Sequence, residues 1–446
     1  MDRVLPHRLL IVFFASLYVG VFDWVYLTYL NPVHGYIGFD LSDPGPVVLG
    51  ITHLLAIMPS FGMPLKVRRP SQVIYWILYL LGYIPSVLAP AYIQRRGLDE
   101  IVALSVFLFI GFLTIGGSYR LALLRTKPSP IKPSLFWNSF LALYIILLAC
   151  VLYVFWGNLR LVAFNQIYQS IRFDSGEVAS GTNVNYAVML LGNVMNPFLM
   201  AYGLTQRRSR PMFLLGALGQ VLLYASGGLK SYILSVVFLL IFDRLLKLKG
   251  FKFGYIFPAA LTVCFAAFNA LGLALGVGVS SLLDMANDIL LMRILGVSGI
   301  NTAVYQDFFA NNPHTHYSHI KGISWVSKYP YEYGIGQEVG YFMSGNDDML
   351  LNANANFWCT DGIAAWGLPG IIMVSIICGL ILWVLDSVSL PRHRKLAQLL
   401  CIAPAILITN TSLFTTLLSG GLIFIIILIR FCPAIDNNCL KRTASQ

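Results

Sequence analysis

The chain has 446 residues, 57% of them hydrophobic and only 11% charged, with 30 lysines and arginines against 19 aspartates and glutamates for a net charge of +11. Those proportions exclude a soluble globule of this length and describe a helical protein that crosses a lipid bilayer many times. Most of the cationic excess sits in short loops between apolar stretches, where it is a topology signal and not a footprint for nucleic acid.

Apolar stretches of about 20 residues predict roughly twelve spans, near 9–30, 47–65, 72–93, 102–119, 135–157, 185–204, 212–226, 231–243, 255–277, 366–386, 396–413 and 414–431. The whole of 1–446 reads as one transmembrane domain. The first span is long and no small-residue cleavage site follows it, so it is expected to be an uncleaved helix. Lysine and arginine in short loops stay in the cytoplasm, and alternating the loops leaves only Arg95, Arg96, Arg160, Arg172, Lys230, Arg293, Lys321 and Lys328 outside. Both termini are then cytoplasmic. Of seven cysteines only Cys359 falls in an external segment, so packing against lipid, not disulfide bonding, is expected to hold the fold. No Walker-type loop, nucleotide fingerprint or internal repeat is present, so no nucleotide cofactor is expected.

Two external segments are long, 158–184 and 278–365, and loops of that size usually carry function. The first holds Arg160 and Arg172, neither with an acidic residue three or four positions away. Each either snorkels to lipid headgroups or serves an anionic ligand. Between Arg210 and Arg244 two spans must share about 33 residues. A helix of about 15 residues reaches about 22 Å, short of a hydrocarbon core of about 30 Å. The turn Ser226–Ser231 should therefore lie below the outer surface, where Lys230 either snorkels outward or meets an anion in a cavity.

The second long segment opens with SLLDMANDILLMRILGVSG, read as an interfacial amphipathic helix with Asp284 and Asp288 on one face. Arg293 sits among Leu290, Leu291, Met292 and Ile294, and Gly296 and Gly299 are expected to let a bulky ligand approach the backbone. Further on, His314, His316 and His319 are spaced H-x-H-x-x-H, which is not a HExxH zinc helix, and no cysteine is near, so no metal is expected. One histidine is a candidate general base or sugar ligand, against the alternative of ordinary loop polarity. Tyr317, Trp325, Tyr329, Tyr331 and Tyr333 suit stacking on sugar rings, although aromatic belts are equally normal at this depth.

The segment LLNANANFWCTDGIAAWGLPG then enters an apolar stretch. Its asparagines Asn352, Asn354 and Asn356, followed by Asp361-Gly362 and Gly367, together with SGGLKS on the short hairpin and the two arginine-bearing segments, resemble the O-antigen (Wzy-type) polymerases, which join oligosaccharide repeat units of bacterial surface glycans. One departure is that Asn183 and Val304 stand eleven residues after Arg172 and Arg293, where some members have glycine.

The resemblance implies an all-α polytopic, GT-C-like fold with two long periplasmic loops in a bacterial inner membrane. It implies transfer of a growing glycan from undecaprenyl pyrophosphate to the sugar end of another carrier-linked repeat unit on the periplasmic face. No cofactor and no metal is implied; the expected partners are undecaprenyl-pyrophosphate-linked oligosaccharides and membrane lipids, with a chain-length regulator as a further candidate. Arg160, Arg172, Lys230 and Arg293 are expected to hold pyrophosphate, since a guanidinium fork grips phosphate oxygens in pairs. His319 is the first choice for the base, with Asp361 and Glu338 as alternatives. Tyr317, Trp325, Asn354 and Asn356 are expected to contact sugar. An O-antigen ligase, and a flippase or secondary transporter of lipid-linked sugars, are the alternative readings.

Overall fold

The computed structural model describes residues 4–93, 97–127, 129–160, 184–206, 209–276, 281–320, 323–325, 327–344, 353 and 357–433. Among these the chain is helical and forms no strand, the state in which each segment satisfies its own backbone in lipid. Nine helical stretches among the described residues are long and apolar enough to cross a membrane: Leu5–Ile37, Gly45–Gly62, Pro70–Ile93, Leu98–Ser118, Pro133–Phe155, Val184–Thr205, Lys252–Leu275, Trp358–Ser389 and Leu413–Phe431. One contiguous hydrophobic cluster runs from Ile11 to Cys432 and draws on all nine.

These nine coincide with nine of the twelve expected stretches, and the other three form a short hairpin and a broken helix. Arg210–Gly227 and Lys230–Leu245 form a hairpin of 18 and 16 residues, the second only about 24 Å long. The stretch 396–413 is broken, with Arg394–Leu400 and Ile402–Leu407 as separate short helices.

The loops that charge alternation assigns to the cytoplasm meet at one end of the bundle. Arg8 donates to the carbonyls of Phe61 and Met63 at 2.6 and 3.1 Å, and Lys66 lies over the ring of Phe251. Arg69 donates to the Leu121 carbonyl at 3.0 Å and sits 3.9 Å from Asp386. Buried Asp243 pairs with Lys247 at 2.5 Å and with Lys395 at 2.8 Å. Ser129 donates to the Phe431 carbonyl at 2.8 Å, bringing the last span to the same end.

The hairpin packs against the middle of the sixth span. The ring of Tyr232 fills the space that a side chain on Gly192 would need, and Gln220 donates to the Gly192 carbonyl at 2.8 Å. Gly192 is in the middle of Val184–Thr205, where the helix widens to a π segment over Leu191–Met195, about 12 Å along from Val184. Gly228 ends the first arm in the left-handed region, at φ 64°, its amide donating to Tyr224 at 2.8 Å, a helix stop that glycine makes at least cost.

Trp358–Ser389 is itself a hairpin. Trp366 and Gly367 leave the helical region, Gly367 at φ 63° and ψ −150°, which is open to glycine alone. The first eight residues fold back along the rest: the indole of Trp358 donates to Ser375 at 2.8 Å, and Gly362 packs directly on Gly370. The motif-bearing segment thus plunges into the bundle, with Phe357, Trp358, Cys359 and Asp361 fully buried.

The expected interfacial helix is instead a bundle element. Ser281–Asn287, the π segment Asp288–Gly296 and Val297–Asn311 run on without a break, and the last part is buried on nearly all sides against Ile84–Ile93 and Trp358–Ser389. Gly296 admits Phe39 and Leu30, and Gly299 admits Pro85 and Ala89. Both glycines serve close packing between helices, not ligand approach.

Candidate active site: a cavity lined by two cations and two carboxylates

A cavity of about 750 Å³ opens between the hairpin turn, the sixth span, the start of 281–311 and the broken stretch near residue 400. Lys230 and Arg293 both line it, joined by Asp284 and Asp288. Its polar lining is completed by Asn193, Ser231, Tyr232, Ser235, Thr409 and Asn410, and the remainder is mostly apolar. The Oδ1 of Asn410 is shielded from solvent and accepts no hydrogen bond among the described residues.

Lys230 is the first residue of its helix, where the positive end of the macrodipole adds to its own charge. An anion beside it would meet a helix N-terminus and an ammonium together. Asp243, at the other end of that helix, pairs with Lys247 and Lys395, so the cavity lies away from the cation-rich end.

Arg293 is exposed on the cavity side of the π segment. Sequence spacing counted three and four residues back and met only Leu290 and Ile289. In a π-helix the hydrogen bonds run from i to i+5 and the turn is wider, so Asp288 lines the same cavity as Arg293. The imidazole of His34 beside it, with Nε2 3.2 Å from Oδ1, holds the Asp288 carboxyl below the usual carboxylate range against the effect of burial. The Tyr29 hydroxyl, which donates to Oδ1 at 2.9 Å, and the charge of Arg293 act in the same direction. Asp288 is therefore ionised, and Arg293 has a carboxylate within its field.

The remaining expected site residues are dispersed. Arg160 is exposed, and its amide donates to the Ala225 carbonyl at 3.0 Å just before the hairpin turn, but it does not line the cavity. Arg172, Asn354 and Asn356 lie outside the described residues, as do Asn352 and most of the segment 158–184. His319 does not line the cavity either. Its Nδ1 is 2.8 Å from the Thr315 hydroxyl, which itself donates to the Ala364 carbonyl. That hydroxyl then accepts from Nδ1–H and leaves Nε2 unprotonated. Burial pushes the imidazole down to about 4, neutral at pH 7 but a weak base.

Asp361 is fully buried and accepts a hydrogen bond from the Leu413 amide at 2.7 Å. Glu338, in the first turn of Ile335–Ser344, accepts from the Tyr333 amide at 2.8 Å and steadies that helix start. Tyr317 packs edge-on to Trp366 and Phe414, at 4.9 and 5.4 Å between centroids. Trp325 is 90% exposed. Among the described residues no group of three or more His, Cys, Asp or Glu side chains is arranged to hold a metal ion.

Spacing missed Asp284 and Asp288 as site residues because it treated them as the wet face of a surface helix. The separation of five between Asp288 and Arg293 was the available signal. Another was the pair of asparagines, Asn193 and Asn196, inside an otherwise apolar stretch; Asn193 lines the cavity, whereas buried Asn196 accepts from Tyr144 at 3.0 Å. No protein family matches the chain, no curated protein matches it, and no solved structure matches its fold.

Proposed function

We propose that the protein is a membrane glycosyltransferase that lengthens a lipid-linked glycan, moving the growing chain from its undecaprenyl pyrophosphate carrier to the sugar end of another carrier-linked repeat unit. The observation that carries this reading is the presence of Lys230, Arg293, Asp284 and Asp288 around one cavity of about 750 Å³, a size suited to a phosphorylated sugar headgroup. In the reaction the acceptor hydroxyl oxygen bonds to the anomeric carbon while the bond from that carbon to the pyrophosphate oxygen breaks. The acceptor proton passes to a carboxylate, and the electron pair leaves with the pyrophosphate. Lys230 and Arg293 stabilise the charge on that leaving group from fixed positions on the cavity wall. Asp284 takes the place of His319 as the proton acceptor because it faces the same space as the two cations, while Asp288, held below the usual carboxylate range by His34, stays ionised beside Arg293. On this reading the cation-rich end is cytoplasmic, the cavity serves the periplasmic side, and the helices form a GT-C-like scaffold in a bacterial inner membrane.

A second reading has its own support. The π segment at Leu191–Met195, the break between Leu407 and Leu413 and the hairpin turn at Gly228 all border the cavity, and helices interrupted around a central site are the usual construction of a secondary transporter. Purified protein in sealed vesicles, given defined undecaprenyl-pyrophosphate repeat units without ATP or added metal, separates the two. A ladder of lengthened glycans is the expected result. Unlengthened repeat units that have crossed to the far leaflet would establish the transporter instead.

A further inference from the structure

A second, smaller pocket of about 200 Å³ lies at the cation-rich end, between the start of the fifth span, the end of the eighth and the end of the ninth. Lys127, Arg392 and Arg430 line it, and no carboxylate does. At the same end Arg69 lies beside Asp386 and both Lys247 and Lys395 pair with Asp243, while Arg8 is held by two carbonyls and Lys66 by the Phe251 ring. Lys127, Arg392 and Arg430 have no ion pair among the described residues. His393 lines the same pocket while only 5% exposed, and its Nδ1 has no hydrogen-bond partner among the described residues. A buried polar atom left unpaired costs stability unless something meets it.

The walls are firm. Ser129 donates to the Phe431 carbonyl at 2.8 Å and accepts from the Ile131 amide at 3.2 Å. Thr126 donates to the Ser387 carbonyl at 3.2 Å, so the loop before the fifth span is tied to both other helix ends. The rest of the lining is largely apolar, with Ile131, Val388, Leu390 and Ile429.

We propose that this pocket binds the phosphate of an anionic phospholipid in the cytoplasmic leaflet, with Lys127, Arg392 and Arg430 on the phosphate oxygens and His393 Nδ1–H as a further donor. Three cations with no ion pair among the described residues, set where helix ends meet at the cation-rich end, match a phosphodiester. The apolar wall favours the lipid over free phosphate because acyl chains have surface to follow. This site is independent of the large cavity and of the reaction proposed for it.

The test is lipid binding by the full chain in a neutral detergent, read as the shift in thermal midpoint and as lipids retained in native mass spectrometry. The probes are phosphatidylglycerol, phosphatidylcholine and inorganic phosphate. Phosphatidylglycerol is expected to raise the midpoint, with the other two ineffective. The Lys127→Gln/Arg392→Gln/Arg430→Gln variant should keep its midpoint in phosphatidylcholine and bind phosphatidylglycerol about tenfold more weakly for each cation lost. Equal shifts with both lipids, or a variant that keeps the full phosphatidylglycerol shift, would overturn the proposal. A shift with inorganic phosphate alone would overturn the lipid assignment. If the triple variant does not fold, high salt applied to the wild type decides: loss of retained phosphatidylglycerol supports the site, and unchanged retention overturns it.

Discussion

The carboxylate of Asp361 accepts a hydrogen bond from the amide of Leu413 at 2.7 Å, tying a helix that doubles back on itself to one that starts inside the bundle. Trp358, three residues earlier, donates its amide to the Ile408 carbonyl at 3.4 Å. The bond satisfies the first amide of Leu413–Leu417, which lipid would leave unpaired. Asp361→Ala should therefore lower stability by about 1–3 kcal/mol, and Asp361→Asn, which keeps an acceptor oxygen, by less. Thermal melting in detergent measures both. Lost turnover at an unchanged midpoint would make Asp361 a chemical group and not a structural one.

The contact between Gly192 and Tyr232 sets the depth of the hairpin. A methyl group on Gly192 would run into the tyrosine ring, and overpacking of this kind costs about 1–3 kcal/mol. Gly192→Ala should lower the midpoint and displace Lys230 from the cavity, while adding Tyr232→Ala should recover part of the loss. A double-mutant cycle on melting data measures the coupling. Purely additive effects would mean that the two residues do not touch.

Within the cavity, removing one preorganised charge that stabilises a leaving group should cost about 10²–10³ in turnover. Lys230→Met and Arg293→Gln are expected to fall in that range in the vesicle assay. Arg293→Lys should lie between wild type and Arg293→Gln, since it keeps the charge but not the planar fork. Asp288→Asn should slow turnover without abolishing carrier binding. Wild-type rates for Lys230→Met or Arg293→Gln would remove that residue from the leaving-group role.

His319 gives a pH dependence with a definite sign. Its folded-state value of about 4 lies below the ordinary 6.5, so between those limits the unfolded chain holds more protons. Stability is then full above about pH 6.5 and declines as the pH falls toward 4, by about 1–3 kcal/mol for a group of this burial. His319→Gln should flatten that part of the melting profile. An acid slope unchanged by the substitution would show that other groups set it.

Much of the scaffold was legible in the sequence. Nine of the twelve expected spans stand close to where hydropathy put them, and the loops grouped by their cations pack together at one end. Length alone also marked the two arms of the Lys230 hairpin as short, and they are helices of 18 and 16 residues. The site was legible in part: Lys230 and Arg293 face one cavity, Arg160 and His319 do not, and Arg172 lies outside the described residues. A count of three and four residues assumes an α-helix, and the π segment that sets Asp288 beside Arg293 breaks that assumption.

The sequence by itself determined a many-span helical membrane protein and the segregation of its charged loops, because transfer of apolar side chains into lipid and the placement of cations are local properties that add along the chain. Only the tertiary structure decided which helices stop inside the bundle, that Gly296 and Gly299 serve helix packing, and that Asp284 and Asp288 share a cavity with Lys230 and Arg293. Those outcomes depend on contacts between residues far apart in sequence, such as Gly299 with Pro85 and Asp288 with Tyr29; the spacing of five relates Asp288 to Arg293 alone.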